Sequence, residues 1–217
     1  MSLTRVFVMT SFAMIAFAGN SLLCRLALKE FQIDAASFTS IRIISGALVL
    51  YLIVRTRREA ARSSGDWPSA LALFGYAAGF SYAYVNLPAA IGALLLFGAV
   101  QVTMIGYGLS TGERLALRQS AGLVLAFGGL VGLLLPGLSA PPPGGAALML
   151  GAGVAWGVYS IRGKAAGDAT CTTAGNFLRA TPLAVGLNLV MLPASQPATL
   201  GIACAMASGA VTSGIGY

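Results

Sequence analysis

Residues 6–28 read VFVMTSFAMIAFAGNSLLCRLAL, with Arg25 the only charge in the run. A helix of ~20 apolar residues crosses the ~30 Å hydrocarbon core of a bilayer. The run is therefore long enough to span. It is too long for the apolar region of a typical signal peptide, and no A-x-A cleavage pattern stands out. It reads as an uncleaved first membrane helix.

Seven more segments of the same kind follow: Ala35–Val54, Pro68–Leu87, Pro88–Leu109, Gln119–Leu135, Gly144–Ile161, Thr172–Leu192 and Ala198–Tyr217. Their connections are short. Asn86-Leu87-Pro88 predicts a tight turn, with proline where a first helical turn tolerates it. Pro141-Pro142-Pro143-Gly144-Gly145 is the longest proline and glycine cluster and divides the chain in two. The composition agrees: 57% of residues are hydrophobic and 9% charged, against about 25% charged in a soluble domain. Mean hydropathy is +0.84. The expected fold class is all-α, a polytopic transmembrane helical bundle.

The net charge of +7 is not a nucleic-acid footprint, because the basic residues sit in loops between apolar runs. Arg5, Arg55, Arg57, Arg58, Arg62, Arg114, Arg118, Arg162 and Lys164 all fall on one side of an eight-span chain, and Arg25 and Lys29 on the other. Cytoplasmic loops carry the excess of Lys and Arg. The expectation is a multi-pass protein of the cell inner membrane with its N-terminus in the cytoplasm. Cys24, Cys171 and Cys204 form no framework, histidine is absent, and neither a disulfide core nor a zinc site is expected.

The chain also resembles itself. Ala16–Arg25 matches Ala155–Lys164, with Ser21 opposite Ser160 and Arg25 opposite Lys164. Arg42 in the second span matches Arg179 in the seventh. Gly79-Phe80-Ser81-Tyr82 matches Gly214-Ile215-Gly216-Tyr217. The three offsets are 139, 137 and 135, in one order. The repeat unit is five spans, and an odd number makes the second copy enter the membrane from the other side. Inverted repeats of this kind are frequent in secondary transporters, with the substrate path between the halves. Residues 1–140 form the first repeat and 141–217 an incomplete second one. Eight of ten helices are then present, and the chain reads as cut short near the end of its eighth helix.

On these residues the chain resembles the EamA-like members of the drug/metabolite transporter superfamily. The resemblance rests on Ala16 to Ser21, Arg42, Gly79 to Tyr82, Gly112-Glu113-Arg114, Gly122, Gly128-Gly129 and Trp156. It implies ten helices in two inverted repeats, cytoplasmic termini and a central cavity. It also implies export of small metabolites such as amino acids, without ATP, by alternating access.

Within the spans, Arg42 is the leading candidate for contact with substrate. A guanidinium at that depth is costly and binds a carboxylate or phosphate bidentately; the alternative is snorkelling to the outer headgroups. Arg179 is its counterpart, with snorkelling favoured. Asn20 and Gln101 are polar within spans, so each must meet a substrate or a neighbouring helix. Tyr76, Tyr82, Trp156 and Tyr159 are aromatics that line a cavity or simply pack. Gly75 and Gly79 predict close helix packing. Glu113 reads as an ion pair with Arg114 or a helix-end contact.

No catalytic, metal-binding or P-loop arrangement is visible, so neither an enzyme nor an ATP-driven pump is expected, and no cofactor. The expected partners are a small-molecule substrate and the lipid bilayer, with no nucleic acid; the chain reads as a monomer or homodimer. The competing reading is a non-transporting membrane scaffold or a nonfunctional remnant of a transporter.

Overall fold

The computed structural model describes residues 3–56, 65–134, 141–164, 167–191 and 198–215. Among them the chain is helical, without strands. The helices are α1 (Leu3–Lys29), α2 (Ala35–Thr56), α3 (Trp67–Asn86), α4 (Ala89–Ser110), α5 (Leu117–Leu134), α6 (Pro143–Gly163), α7 (Ala169–Met191) and α8 (Thr199–Ala207). The last continues as a π-helical segment, Ser208–Ile215. Eight helices thus stand in the eight expected places. Arg57, Arg58, Arg62, Leu135, Leu192, Gly216 and Tyr217, which entered the charge bias, the span ends and the repeat, lie outside the described residues.

The helix ends follow from local chemistry. Asp66 caps α3 by accepting from the Ser69 backbone N–H at 2.8 Å, and Pro68 occupies the first turn. Pro88 and Pro142 precede α4 and α6. After α4 the chain turns at Gly112, whose φ of +92° suits glycine. There Glu113 N–H donates to the Gly108 carbonyl and Gly112 N–H to the Leu109 carbonyl, a Schellman cap. Gly112-Glu113-Arg114 is therefore a helix stop. The Glu113 carboxylate lies over Gly108, a helix-end contact.

Four helices, α1, α2, α4 and α6, are long and apolar enough to cross a membrane. Polar residues dilute α3 and α7: three tyrosines and two serines in α3, and Asn176, Arg179 and Asn188 in α7. Several of these polar residues, Tyr76, Ser81, Tyr84 and Asn176 among them, face the bundle interior. The outside is greasy instead: Phe7, Phe12, Ile15, Leu125 and Val190 are largely exposed. Buried among the helices are Asn20, Ser37, Thr39, Ser40, Arg42, Ser81 and Asn176. An apolar exterior around a core that also holds these polar groups is not the pattern of a water-soluble domain. The chain is a membrane protein.

Packing centres on α6, which lies against both α3 and α4, and on α2, which lies against α7 and the π-helical segment. Helix α1 meets α8, while α5 sits at the edge on α4. Small residues set the close approaches. A Cβ on Gly79 would stand 3.2 Å from Ala152 Cβ, and one on Gly153 would stand 2.6 Å from both Ala99 Cβ and the Leu96 carbonyl oxygen. In lipid, such backbone proximity rather than water exclusion holds helices together.

Gly153 therefore admits no side chain. Gly153→Ala is expected to destabilise the purified protein by about 1–3 kcal/mol, because backbone must shift. Gly151→Ala, with nothing within 4 Å of its Cβ, changes stability by less than ~0.5 kcal/mol. Thermal unfolding of the two variants in detergent checks this.

Candidate functional site

Arg42 projects from α2 into the interior and is 3% exposed. It does not snorkel. One guanidinium nitrogen donates to the Tyr76 hydroxyl at 2.9 Å, and its carbon stands 5.1 Å from the ring centroids of Tyr76 and Phe80. Such cation–π contacts gain strength when water is excluded. Tyr76 stacks on Trp156, with centroids 5.0 Å apart at 30°. Trp156 meets Phe17 edge-on at 5.1 Å and Phe97 at 5.9 Å. One aromatic layer thus joins α1, α2, α3, α4 and α6 around a single cation.

Asn20 lies beside this layer. Its amide oxygen accepts from Ser208 at 2.6 Å and Thr212 at 3.1 Å. The backbone of Gly209 presses on the Arg42 carbonyl and the Ser45 hydroxyl so closely that no side chain fits there. The π-helical segment therefore joins Asn20 to the turn of α2 that carries Arg42.

Beyond the layer, toward one end of the bundle, lies a cavity of about 900 Å³. Its walls are the start of α3 (Asp66, Ser69), the end of α4 (Tyr107), the end of α6 (Tyr159, Arg162) and the start of α7 (Thr173, Asn176). Tyr159 is three residues along α6 from Trp156, toward the cavity, and its hydroxyl faces that of Thr173 at 3.5 Å. The mouth carries an ion pair, Arg162 to Asp66 at 3.1 Å. Arg162 Nε donates to Ser69 Oγ at 2.9 Å. Ser69 Oγ in turn donates to the second Asp66 oxygen at 3.0 Å. The Asp66 backbone N–H donates to the Asn176 side chain at 3.0 Å. Three helices, α3, α6 and α7, meet in this network.

The opposite end is closed. Ile33, Phe38, Tyr84, Leu87 and Met149 are nearly or fully buried there, and Arg25 donates to the Tyr84 carbonyl at 3.1 Å.

The eight sequence candidates therefore separate. Arg42, Tyr76 and Trp156 form one cluster with Asn20 adjoining, and Tyr159 lies in the cavity wall. Arg179 donates to the Gly175 carbonyl of its own helix at 3.0 Å. Tyr82 is half-buried near the closed end, and Gln101 faces an apolar groove of about 550 Å³ between α4 and α5. Sequence reasoning passed over Phe80, Ser208 and the Asp66–Arg162 pair. Arg162 had been counted only as a loop charge. The Asp66-Trp67-Pro68-Ser69 string was the available signal, since it spells a helix start.

An all-helical membrane protein, with a cavity among its described residues toward one end, is the class this structure defines. No family model matches the chain. The chain is 54% identical over 214 residues to Uncharacterized protein PA1977 of Pseudomonas aeruginosa, covering 98% of this chain and 75% of that protein. It belongs to the same family as that protein. A protein of known crystal structure aligns with 94% of this chain and 76% of its own at a TM-score of 0.66 and 21% identity, so the two share a fold.

The Ser69 backbone N–H, with the Ser69 hydroxyl and Arg162, holds the Asp66 carboxyl below its usual range, against a smaller opposing effect of desolvation. A carboxyl lowered in the folded state stabilises above its unfolded pKa of about 3.9, and that stability is lost as pH falls through the lowered value. The difference in melting temperature between wild type and Asp66→Asn is expected to stay constant from about pH 8 to 5 and to shrink below about pH 4. A melting series in detergent measures it.

Proposed function

We propose that this chain is a secondary transporter of small metabolites, working by alternating access between two inverted five-helix repeats. The observation that carries the reading is the asymmetry of the described interior: a cavity with charged and polar groups in its wall at one end, a buried cation-aromatic layer at mid-depth, and buried large side chains at the other end. A cavity of this size suits a small solute, and a carrier in which one end is open while the other is shut exposes its site to one side at a time.

The packing scheme supports the inverted repeat. Under that symmetry α1 corresponds to α6, α2 to α7, and α3 to α8. Helix α3 packs on α6 as α1 packs on α8, and α2 packs on its own counterpart α7. The EamA-like resemblance, the inner-membrane location and the cytoplasmic N-terminus belong to the same proposal. In that orientation the cavity faces the cytoplasm, as an exporter loading substrate requires. Arg42, held by Tyr76 and Phe80, is the deeper station, where a substrate carboxylate or phosphate is met.

The full chain in proteoliposomes is expected to carry labelled amino acids and related metabolites down a gradient. Arg42→Ala should reduce that flux at least ten-fold at equal protein content, in line with ~1.5–3 kcal/mol for a hydrogen bond to a charged group. Absence of flux for every solute, from protein that is monodisperse and folded, would leave the scaffold or remnant reading in its place.

A further inference from the structure

We propose that Asp66 and Arg162 form a charge-reading subsite at the cavity mouth, which admits small solutes carrying one cationic and one anionic group and no net charge. The inference rests on the transport reading above and names the solute class.

Among the described residues that line the cavity, Asp66 and Arg162 are the charged ones, one negative and one positive. Their side chains are 46% and 42% exposed. A solvated pair of this kind contributes only about 0–1 kcal/mol, and a ligand opens it cheaply. Each member keeps a partner when the pair opens. Asp66 retains the Ser69 N–H and hydroxyl, and Arg162 retains the Ser69 oxygen. Both side chains therefore stay in place, close to each other at the mouth.

A solute with an ammonium and a carboxylate a few bonds apart replaces one ion pair by two. A solute with a single charge forms one of these two ion pairs and leaves the other residue with Ser69 and water alone. The uncharged remainder of the solute meets Tyr107, Val158 and Tyr159 in the wall. The same pairing of charges exists in a zwitterionic lipid headgroup. The assignment here is to a free solute, and added lipid distinguishes the two sources.

The test is binding by thermal shift, with the full chain in lipid-free detergent. The probes are two matched triplets: leucine, 4-methylpentanoate and isoamylamine; and phenylalanine, 3-phenylpropanoate and 2-phenylethylamine. A ligand that binds the folded state raises the melting temperature according to its concentration and affinity. At least one amino acid is expected to bind about three-fold or more tightly than its own acid and amine, in line with one further solvated ion pair. In Arg162→Gln the order turns toward the amine, and in Asp66→Asn toward the acid. A merely structural ion pair would lower stability in both variants without reordering the solutes. Equal binding within the triplets, no binding by either, or an unchanged order in both variants overturns the proposal. Displacement of the bound amino acid by added phosphatidylethanolamine overturns the assignment to a free solute. Flux of other solutes without zwitterion preference would remove this subsite and leave transport standing. Zwitterion binding with no flux would do the reverse.

Discussion

The guanidinium of Arg42, enclosed by the ring faces of Tyr76 and Phe80 and bonded to the Tyr76 hydroxyl, imposes the main constraint on this bundle. A charge cannot rest in hydrocarbon without internal partners. Its partners come from α3, and Tyr76 is itself fixed by Trp156 of α6. The position of α2 is thus tied to α3 and α6, which share the most extensive helix–helix contact among the described residues. The smaller polar groups of α2 obey the same rule. Thr39 donates to its own helix at the Ala35 carbonyl and meets Ser81 of α3 at 2.9 Å. Ser40 reaches the Ala184 carbonyl of α7 at 2.8 Å. Helix α2 is thereby bonded on both sides.

The two ends of the bundle are held by different physics. One is filled by large side chains with no water contact, where loss of any one leaves a void. The other is bridged by the Asp66–Arg162 pair and its hydrogen bonds to Ser69 and Asn176. Solvated ion pairs and exposed hydrogen bonds are weak and open readily. This contrast fixes which end stands open in the structure described. Helix α5 contributes to neither end, since it packs on α4 alone among its substantial contacts.

Much of this was legible in the amino-acid sequence. The apolar runs anticipated the helices, and Pro88 and the proline cluster before α6 anticipated two of their starts. Arg42, Tyr76 and Trp156 were picked out because polar and aromatic side chains inside a span need a reason to be there. Gln101 and Arg179 were chosen on the same ground yet stand apart from the cluster. Depth along a span is readable, but the direction a side chain faces is not. The Asp66–Arg162 pair was missed because its members lie 96 positions apart and Arg162 already had a local explanation as a loop charge.

By itself, the sequence determined that this is a helical membrane protein, where its helices run, and which polar residues would have to be explained. Hydropathy measures the preference of each segment for lipid or water, and helix caps are local hydrogen bonds, so both are written in consecutive residues. The tertiary structure alone decided that α6 is shared by α3 and α4, that Arg42 meets Tyr76, and that one end is open while the other is shut. Those outcomes depend on which glycine or alanine on one helix matches which backbone on another, and shape complementarity between distant segments leaves no period in the chain.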